Sequence, residues 1–390
     1  MRIVGSAQYG QYSFLLSQCN LIAALGFGWL NQAQLRYYSV DKNKYQYKNV
    51  QIIAIAYSSI FTFIILSMLV YYQSRSNQIL IISIFTVIMM GIFNYLKTFY
   101  QISILPKKII YFTSFQSLLA LLLPLFFVFF MGYNEISLLF GIACSFLVSA
   151  LIILKLDDPF YKTRESKKNK KSTNNIIILK KWFSYGSPLS IWFAAGLSLS
   201  FLDRFFIDHY LSSTDLGIYA SLQELLVKSF SLTIFPFTLA LHPRIINLWN
   251  KSKLADTARL LLESISIIIG IGIFIIFIVW KFNDFIFFGL QKVLPQLDIQ
   301  SKVLIMPLIC SGFLWQLSFL THKMLELKEK TIFMVIAIIP SLLINLIGNS
   351  YFLPKLGGIA TAYTALFSAL TYCIITGLHS CYSIYKIYKI

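Results

Sequence analysis

Long apolar runs alternate with short polar segments along almost the whole chain. Each run is about 20 residues long, the length that a helix needs to cross about 30 Å of hydrocarbon. Runs such as 118–123 (LLALLL) lack the alternation of apolar and polar residues that strands of a membrane barrel show. The pattern therefore predicts membrane helices. Eleven spans are predicted, at 12–35, 50–71, 79–100, 109–131, 135–155, 183–207, 216–241, 260–281, 302–325, 331–353 and 358–381.

The composition supports an all-α integral membrane protein without a large aqueous domain. Hydrophobic residues make up 57% of the 390 residues and charged residues only 12%, whereas a soluble domain has about 25% charged residues. The mean hydropathy is +0.72. The five cysteines lie in or at the ends of apolar spans and lack the spacing of metal ligands, so we predict packing roles for them and no metal or cofactor. They are Cys19, Cys144, Cys310, Cys373 and Cys381.

The net charge of +18 is unevenly distributed between the predicted loops. Loops rich in Lys and Arg alternate with poor ones, and the positive-inside rule places the rich loops in the cytoplasm. The C-terminus is then cytoplasmic and Lys355 lies outside. The richest segment, KTRESKKNKKSTNN at 162–175, contains no aromatic residue. This composition favours a solvated loop attracted to lipid head groups and no nucleic-acid partner.

The basic linker at 156–181 divides the chain into a lobe of five predicted spans at 1–155 and a lobe of six at 182–390. The two parts share a repeat, because SAQYGQYSFL at 6–15 aligns with STDLGIYASL at 213–222. The alignment pairs the Gly and Tyr of a Gly-x-Tyr motif in each part. Two repeats of the same orientation indicate two bundles that face one another across a cavity.

Ionisable residues inside membrane spans are rare, and each is a functional candidate. Lys228 stands midway along the predicted span 216–241, with Glu224 one helical turn before it. Three interpretations remain open: a structural ion pair, a cation that faces a substrate cavity, and a side chain exposed to lipid. His322 and Asn345, which also lie inside predicted spans, are expected to form hydrogen bonds between helices.

A second charged group follows the sixth predicted span. Asp203 and Arg204 point about 100° apart on a helix, and Asp208 lies one turn after Arg204. One interpretation is a helix end with an Arg204–Asp208 pair, before a helix capped by Ser213 or Thr214. The other makes Arg204 a contact for phosphate or sugar, with protons exchanged at Asp203 or at a fourth residue of the segment, His209.

The chain resembles the polysaccharide or O-antigen flippases of the multidrug/oligosaccharidyl-lipid/polysaccharide (MOP) exporter superfamily. The resemblance extends over essentially the whole chain. The segments that carry it are GSAQYGQYSFLLS (5–17), DRFFIDHYLSSTDLGIYASLQEL (203–225), HPRI (242–245) and LPKLGGIATAYTALFSAL (353–370). It implies a MOP/MATE-like fold of two six-helix lobes in the bacterial cytoplasmic membrane. It also implies alternating-access translocation of a polyprenyl-diphosphate-linked oligosaccharide, an O-antigen or capsule unit used for lipopolysaccharide or capsule synthesis.

A diphosphate needs a cationic cleft, so the resemblance suggests roles for the charged residues. The candidates for substrate contact are Lys228, Arg204, Arg36 and Lys97, and those for ion coupling are Glu224, Asp203, Asp208 and His209. Arg36 and Lys97 end predicted spans, where snorkelling to the interface is the alternative explanation. Membrane lipids, a polysaccharide polymerase and a chain-length regulator are the expected partners.

Two other classes of protein compete with the flippase. A membrane polysaccharide polymerase or glycosyltransferase uses the same lipid-linked substrates, but the longest predicted outer loop, 282–301, is short for an enzyme of that kind. No hydrolase, redox or ATPase motif occurs in the sequence, so we predict that the protein is not an enzyme. A drug or cation antiporter of the same superfamily would favour acidic residues where this chain has Lys228.

The first lobe is one span shorter than the second. The segment 182–207 leads into the second Gly-x-Tyr motif, whereas only MRIVGSAQ and Tyr9 precede the first. We therefore expect a fold that lacks its first helix. A start codon further upstream is the favoured explanation, and a naturally shortened first lobe is the other.

Overall fold

The structure is a computed structural model that describes residues 2–37, 44–73, 75–102, 105–156 and 175–389. These residues form thirteen α-helices and one short 3-10 helix, and they contain no strand. The α-helices are α1 (Ser6–Tyr37), α2 (Lys44–Tyr72), α3 (Asn77–Ile102), α4 (Pro106–Met131), α5 (Glu135–Leu156), α6 (Asn175–Tyr210), α7 (Ser213–Asn250), α8 (Leu254–Lys281), α9 (Asn283–Val293), α10 (Ile305–Thr321), α11 (Lys323–Leu327), α12 (Thr331–Leu356) and α13 (Gly358–Lys389). The 3-10 helix is Ile299–Leu304.

The helical pattern confirms the predicted fold class. Ten helical segments of the described chain are long and apolar enough to cross a membrane, so this is a multi-pass membrane protein. They coincide with ten of the eleven predicted spans, and the remaining one, 216–241, lies within α7. The predicted outer loop 282–301 connects two of these segments and contains a short helix, α9, which the sequence did not predict. Helix α6 begins at Asn175, inside the predicted linker, because the apolar segment 176–179 extends it. Linker residues 157–174 lie outside the described residues.

The chain forms two compact units. The first unit contains Met1–Ser13 and Ser198–Ile390, and the second contains Phe14–Leu197. The divisions fall inside α1 and α6, so each of these helices contributes residues to both units. The lobes predicted at 1–155 and 182–390 stay a prediction.

Helices of the second unit approach closely at glycines. A methyl group on Gly141 of α5 would lie 2.4 Å from the backbone of Pro124 in α4, and one on Gly186 of α6 would lie 2.1 Å from the carbonyl oxygen of Trp29 in α1. Only glycine permits these contacts. The aromatic side chains of Tyr95 and Trp182 fill the core that α3 and α6 share with neighbouring helices.

Polar side chains link the helices of the first unit. The Thr321 hydroxyl of α10 lies 2.7 Å from the Thr376 hydroxyl of α13, and the Ser380 hydroxyl donates to the Thr321 carbonyl oxygen. The Tyr372 hydroxyl lies 3.3 Å from His322 Nδ1, which confirms the predicted interhelical hydrogen bond of this histidine. Hydrogen bonds of this kind hold helices together in lipid, where the apolar surface of a helix gains little by association.

Candidate functional site

The candidate site of the first unit is built around Asp203 in α6, whose side chain is only 1% exposed. Its Oδ2 atom accepts hydrogen bonds from the Tyr219 hydroxyl (3.0 Å) and Gln223 Nε2 (3.3 Å) of α7. Its Oδ1 atom accepts from the side-chain amides of Asn345 (2.7 Å) and Asn349 (3.4 Å) of α12. The expected interhelical bond of Asn345 is therefore confirmed, and its partner is the carboxylate of Asp203.

Arg204, the next residue of α6, reaches a different set of partners. Its Nη1 donates to the carbonyl oxygen of Ser13 (2.8 Å), and its Nη2 donates to Gln223 Oε1 and to Glu224 Oε1, both at 3.3 Å. The interpretation in which Arg204 pairs with Asp208 was wrong. Gln223 connects Asp203 with Arg204, because its amide nitrogen donates to Asp203 and its amide oxygen accepts from Arg204.

Glu224 is the centre of the charged part of the site. Besides Arg204, it accepts hydrogen bonds from the Tyr9 hydroxyl (2.9 Å), the Ser13 hydroxyl (3.4 Å) and Lys228 Nζ (3.3 Å). The pair predicted from the spacing of Glu224 and Lys228 is confirmed. The side chain of Lys228 is 69% exposed and that of Glu224 is 24% exposed. Lys228 is therefore the accessible end of a hydrogen-bonded network that runs inward to the buried Asp203.

We call this network the Asp203–Lys228 network. It comprises Tyr9, Ser13, Asp203, Arg204, Tyr219, Gln223, Glu224, Lys228, Asn345 and Asn349. Its two carboxylates and two basic groups balance in formal charge. Burial of an unbalanced charge costs several kcal/mol, so the balance makes a buried Asp203 and Arg204 tolerable.

The other two candidates of this segment lie outside the network. Asp208 is half-buried and accepts a hydrogen bond from Gln11 Nε2, which also bonds the Ser213 hydroxyl. His209 is exposed, and its ring stacks on that of Phe205 with a centroid distance of 6.3 Å. The cap of α7 is Ser212, which forms a capping box with Asp215, so the predicted caps Ser213 and Thr214 were wrong.

Arg36 and Lys97 belong to the second unit. Arg36 is exposed, and its guanidinium carbon lies 4.3 Å from the ring centroid of Tyr185. Lys97 lines a cavity of about 340 Å³ between α1, α3, α4, α5 and α6. Neither candidate is a member of the Asp203–Lys228 network.

Sequence reasoning missed five members of the network, namely Tyr9, Ser13, Tyr219, Gln223 and Asn349, although Tyr219 belongs to the second Gly-x-Tyr motif. One signal was available, since Asn345 and Asn349 lie one turn apart in an otherwise apolar span. Tyr9 and Ser13 flank the first Gly-x-Tyr motif, but nothing in their own segment indicates a contact with Glu224, more than 200 residues away.

Comparisons with known proteins identify the fold. No model of a protein family matches the chain, and no curated protein matches it. Solved structures of MATE transporters do. An inward-facing multidrug resistance MATE family transporter of the MOP superfamily has a TM-score of 0.70 and 14% identity, covering 98% of this chain and 90% of its own. An outward-facing multidrug resistance MATE family transporter has a TM-score of 0.63 and 14% identity, and the match covers 97% of this chain and 87% of that transporter.

A MATE structure in a bent conformation covers 100% of this chain and 95% of its own, with a TM-score of 0.66 and 13% identity. The chain therefore has the fold of the MATE transporters of the MOP superfamily, as predicted. The similarity at this level of identity concerns the fold.

Proposed function

We propose that this protein is a flippase that moves a polyprenyl-diphosphate-linked oligosaccharide across the bacterial cytoplasmic membrane by alternating access. The glycan is an O-antigen or capsule repeat unit, and the protein is not an enzyme. The C-terminus lies in the cytoplasm, and a polymerase and a chain-length regulator act on the product. The MATE fold supports transport, and the position of Lys228 supports an anionic substrate.

The exposed ammonium group of Lys228 is the observation that carries the proposal. An ionisable side chain in the interior of a membrane helix is costly, and such residues typically mark a substrate or ion pathway. Lys228 keeps one carboxylate partner, Glu224, which also binds Arg204. A diphosphate that enters beside Lys228 meets the ammonium group of this lysine. If Lys228 turns to the diphosphate, its partner Glu224 remains neutralised by Arg204. The polyprenyl chain stays in the bilayer, so only the head group needs polar contacts.

The buried carboxylate of Asp203 is the proposed coupling group. Asp203 is linked to Lys228 through Gln223, Arg204 and Glu224. A change of charge at Asp203 therefore alters the hydrogen bonds that position the substrate-facing cation. We propose proton exchange at Asp203 in an antiport cycle. Asp208 and His209 are weaker coupling candidates, because they lie outside this network.

A drug or cation antiporter is the competing function, since the solved neighbours include multidrug resistance transporters. Such a carrier needs an accessible carboxylate for its cationic cargo. In the Asp203–Lys228 network Asp203 is buried and Glu224 is 24% exposed, whereas Lys228 is 69% exposed. The most exposed charged group of the network is therefore a cation, and this favours anionic cargo.

The test is transfer of a labelled undecaprenyl-diphosphate oligosaccharide in vesicles that contain the purified protein. Transfer is followed by access of a membrane-impermeant periodate reagent to the glycan. We expect Lys228→Ala to slow transfer by about tenfold or more, the effect of losing about 1.4 kcal/mol of binding. Lys228→Arg is expected to be milder, because it retains the charge. The exposed Lys281, at the end of α8, provides the matched control Lys281→Ala.

The Lys228→Ala change also removes a partner of Glu224, so the double variant Glu224→Ala/Lys228→Ala is required. Slow transfer in both variants supports a substrate contact. Recovery in the double variant would assign Lys228 a structural role only. Protein-dependent uptake of ethidium without transfer of the lipid would favour the antiporter.

A further inference from the structure

The cavity beside Lys97 is lined wholly by residues of the second unit, and none of them is a member of the Asp203–Lys228 network. Its volume of about 340 Å³ falls within the range of small-ligand pockets. Amide and hydroxyl side chains from three helices share the lining with Lys97. They are Asn20 and Asn31 of α1, Asn94 of α3, and Thr113 and Gln116 of α4.

Lys97 has no carboxylate partner among the residues that the structure describes. Its Nζ atom lies 5.8 Å from the centroid of the Phe93 ring. Glu135, in the first turn of α5, is the single acidic residue described in this unit. The ammonium group is therefore a cation in a membrane protein without a protein counter-ion nearby, and an anionic ligand is the remaining source of negative charge.

Two buried acceptors in the same cavity also lack partners in the described part of the chain. They are Asn31 Oδ1 and Thr113 Oγ. A buried polar atom without a partner costs about 1–3 kcal/mol, so such atoms call for a ligand or a water molecule. The threonine hydroxyl both donates and accepts, as do the amides of Asn20 and Asn94. A ligand with several hydroxyl groups satisfies a lining of this kind.

The rings of Phe27, Phe93 and Phe146 complete the cavity. Amphipathic ligands place their apolar faces on aromatic rings and direct their polar edges to amides. A sugar ring has this combination of C–H faces and hydroxyl edges. The mixture of amides, one hydroxyl and aromatic rings therefore fits a carbohydrate better than a simple inorganic ion.

The charge selects among carbohydrates. A diphosphate carries at least two negative charges, whereas this cavity offers one lysine, and a single carboxylate matches that lysine in charge. We propose that the cavity binds one acidic sugar residue, a pyranose with free hydroxyls and one carboxylate, with Lys97 as the contact for the carboxylate. The inference deepens the proposed function and rests on it in one respect, namely that the sugar belongs to the transported glycan.

The test uses the full chain in lipid nanodiscs and three probes in saturation-transfer NMR: methyl glucuronoside, methyl glucoside and inorganic pyrophosphate. We expect the glucuronoside to bind at least about tenfold more tightly than the glucoside, and pyrophosphate not to displace it. Equal binding of the two sugars overturns the inference. Displacement by pyrophosphate also overturns it, because the site would then select phosphate. This comparison requires no variant, so it does not depend on folding of a mutant.

Variants then assign the discrimination to Lys97. Lys97→Gln should bring the two sugars within about twofold of each other, Lys97→Arg should retain the preference, and Lys281→Gln serves as the control. A preference that survives Lys97→Gln overturns the assignment. Because binding is measured without transport, the two proposals fail separately. Lipid transfer without glucuronoside binding removes only the acidic-sugar site, and binding without lipid transfer removes only the flippase.

Discussion

Gly10 and Gly217 lie against each other where α1 meets α7 in the first unit. A methyl group on Gly10 would lie 2.6 Å from the amide nitrogen of Gly217, and one on Gly217 would lie 2.0 Å from the carbonyl oxygen of Ser6. These are the two glycines of the repeated Gly-x-Tyr motif. The equivalent positions of the repeat are thus in contact, and their closeness allows Tyr9 and Ser13 to reach Glu224.

Replacement of Gly217 by alanine should destabilise the protein. The added methyl group meets rigid backbone atoms, so the helices must separate, at a cost of about 1–3 kcal/mol. Thermal unfolding of the purified protein in detergent measures the effect. Gly270 provides the matched control, because it lies in the interior of α8 with no atom within 4 Å of the new methyl group. Gly270→Ala should leave the stability unchanged or raise it by up to about 1 kcal/mol. Equal effects of the two substitutions would contradict the close packing.

Removal of the Arg204 guanidinium alone should lower the free energy of unfolding more than removal of both charges of the Arg204–Glu224 pair. Arg204→Met leaves Glu224 and the Ser13 carbonyl without their buried donor, and we expect a loss of about 3 kcal/mol. The double variant Arg204→Met/Glu224→Gln should recover part of that loss, since it removes a partly buried charge whose remaining cationic partner is the exposed Lys228. Chemical unfolding of the single and double variants gives the coupling energy. A coupling energy near zero would show that the two residues act independently.

Replacement of Asp203 by asparagine tests the coupling role. The side chain keeps its size but loses its charge, so we expect substrate binding to persist while transfer loses its response to an imposed proton gradient. Vesicle transfer with and without a pH step measures that response. Asp208→Asn is the matched control, because Asp208 lies on the same helix and bonds Gln11 outside the network. An unchanged gradient response in Asp203→Asn would remove Asp203 from the coupling mechanism.

The charge bias of the loops predicts that Lys355 and Lys386 lie on opposite sides of the membrane. Helix α13 begins at Gly358, shortly after Lys355, and contains Lys386 in its last turn; its 32 residues extend about 48 Å at 1.5 Å per residue, enough to span the hydrocarbon. Single cysteines at 355 and 386 in a cysteine-free background test this. An impermeant maleimide should label position 355 in intact cells and position 386 only after permeabilisation. The same pattern of labelling at both positions would reject the topology.

The sequence predicted what depends on local spacing. Apolar runs of span length predicted the helices, and the four-residue interval between Glu224 and Lys228 predicted their ion pair, since both signals are properties of one helix. The same local reasoning failed for Arg204. Asp208 is its neighbour along the helix, but Glu224 and the Ser13 carbonyl reach it from other helices.

Contacts between segments that are distant in sequence could be identified only from the fold. Asn345 is 142 residues from Asp203 in sequence, and Ser13 is 191 residues from Arg204. Spacing along the chain gives no information about such pairs, because helix packing decides which faces meet. The cavity of Lys97 illustrates the same limit. Its amides come from three helices, and each amide alone resembles an ordinary polar residue in a membrane helix.

Glu224 has two cationic partners of different accessibility, Arg204 held inside the protein and Lys228 at the surface. The carboxylate therefore keeps one cationic partner when the other is engaged elsewhere. If Lys228 turns towards an incoming anion, Glu224 still has Arg204 and the Tyr9 hydroxyl, so capture of cargo leaves no charge stranded in the membrane. Under the proposed function, loading and unloading then exchange one ion pair of Lys228 for another.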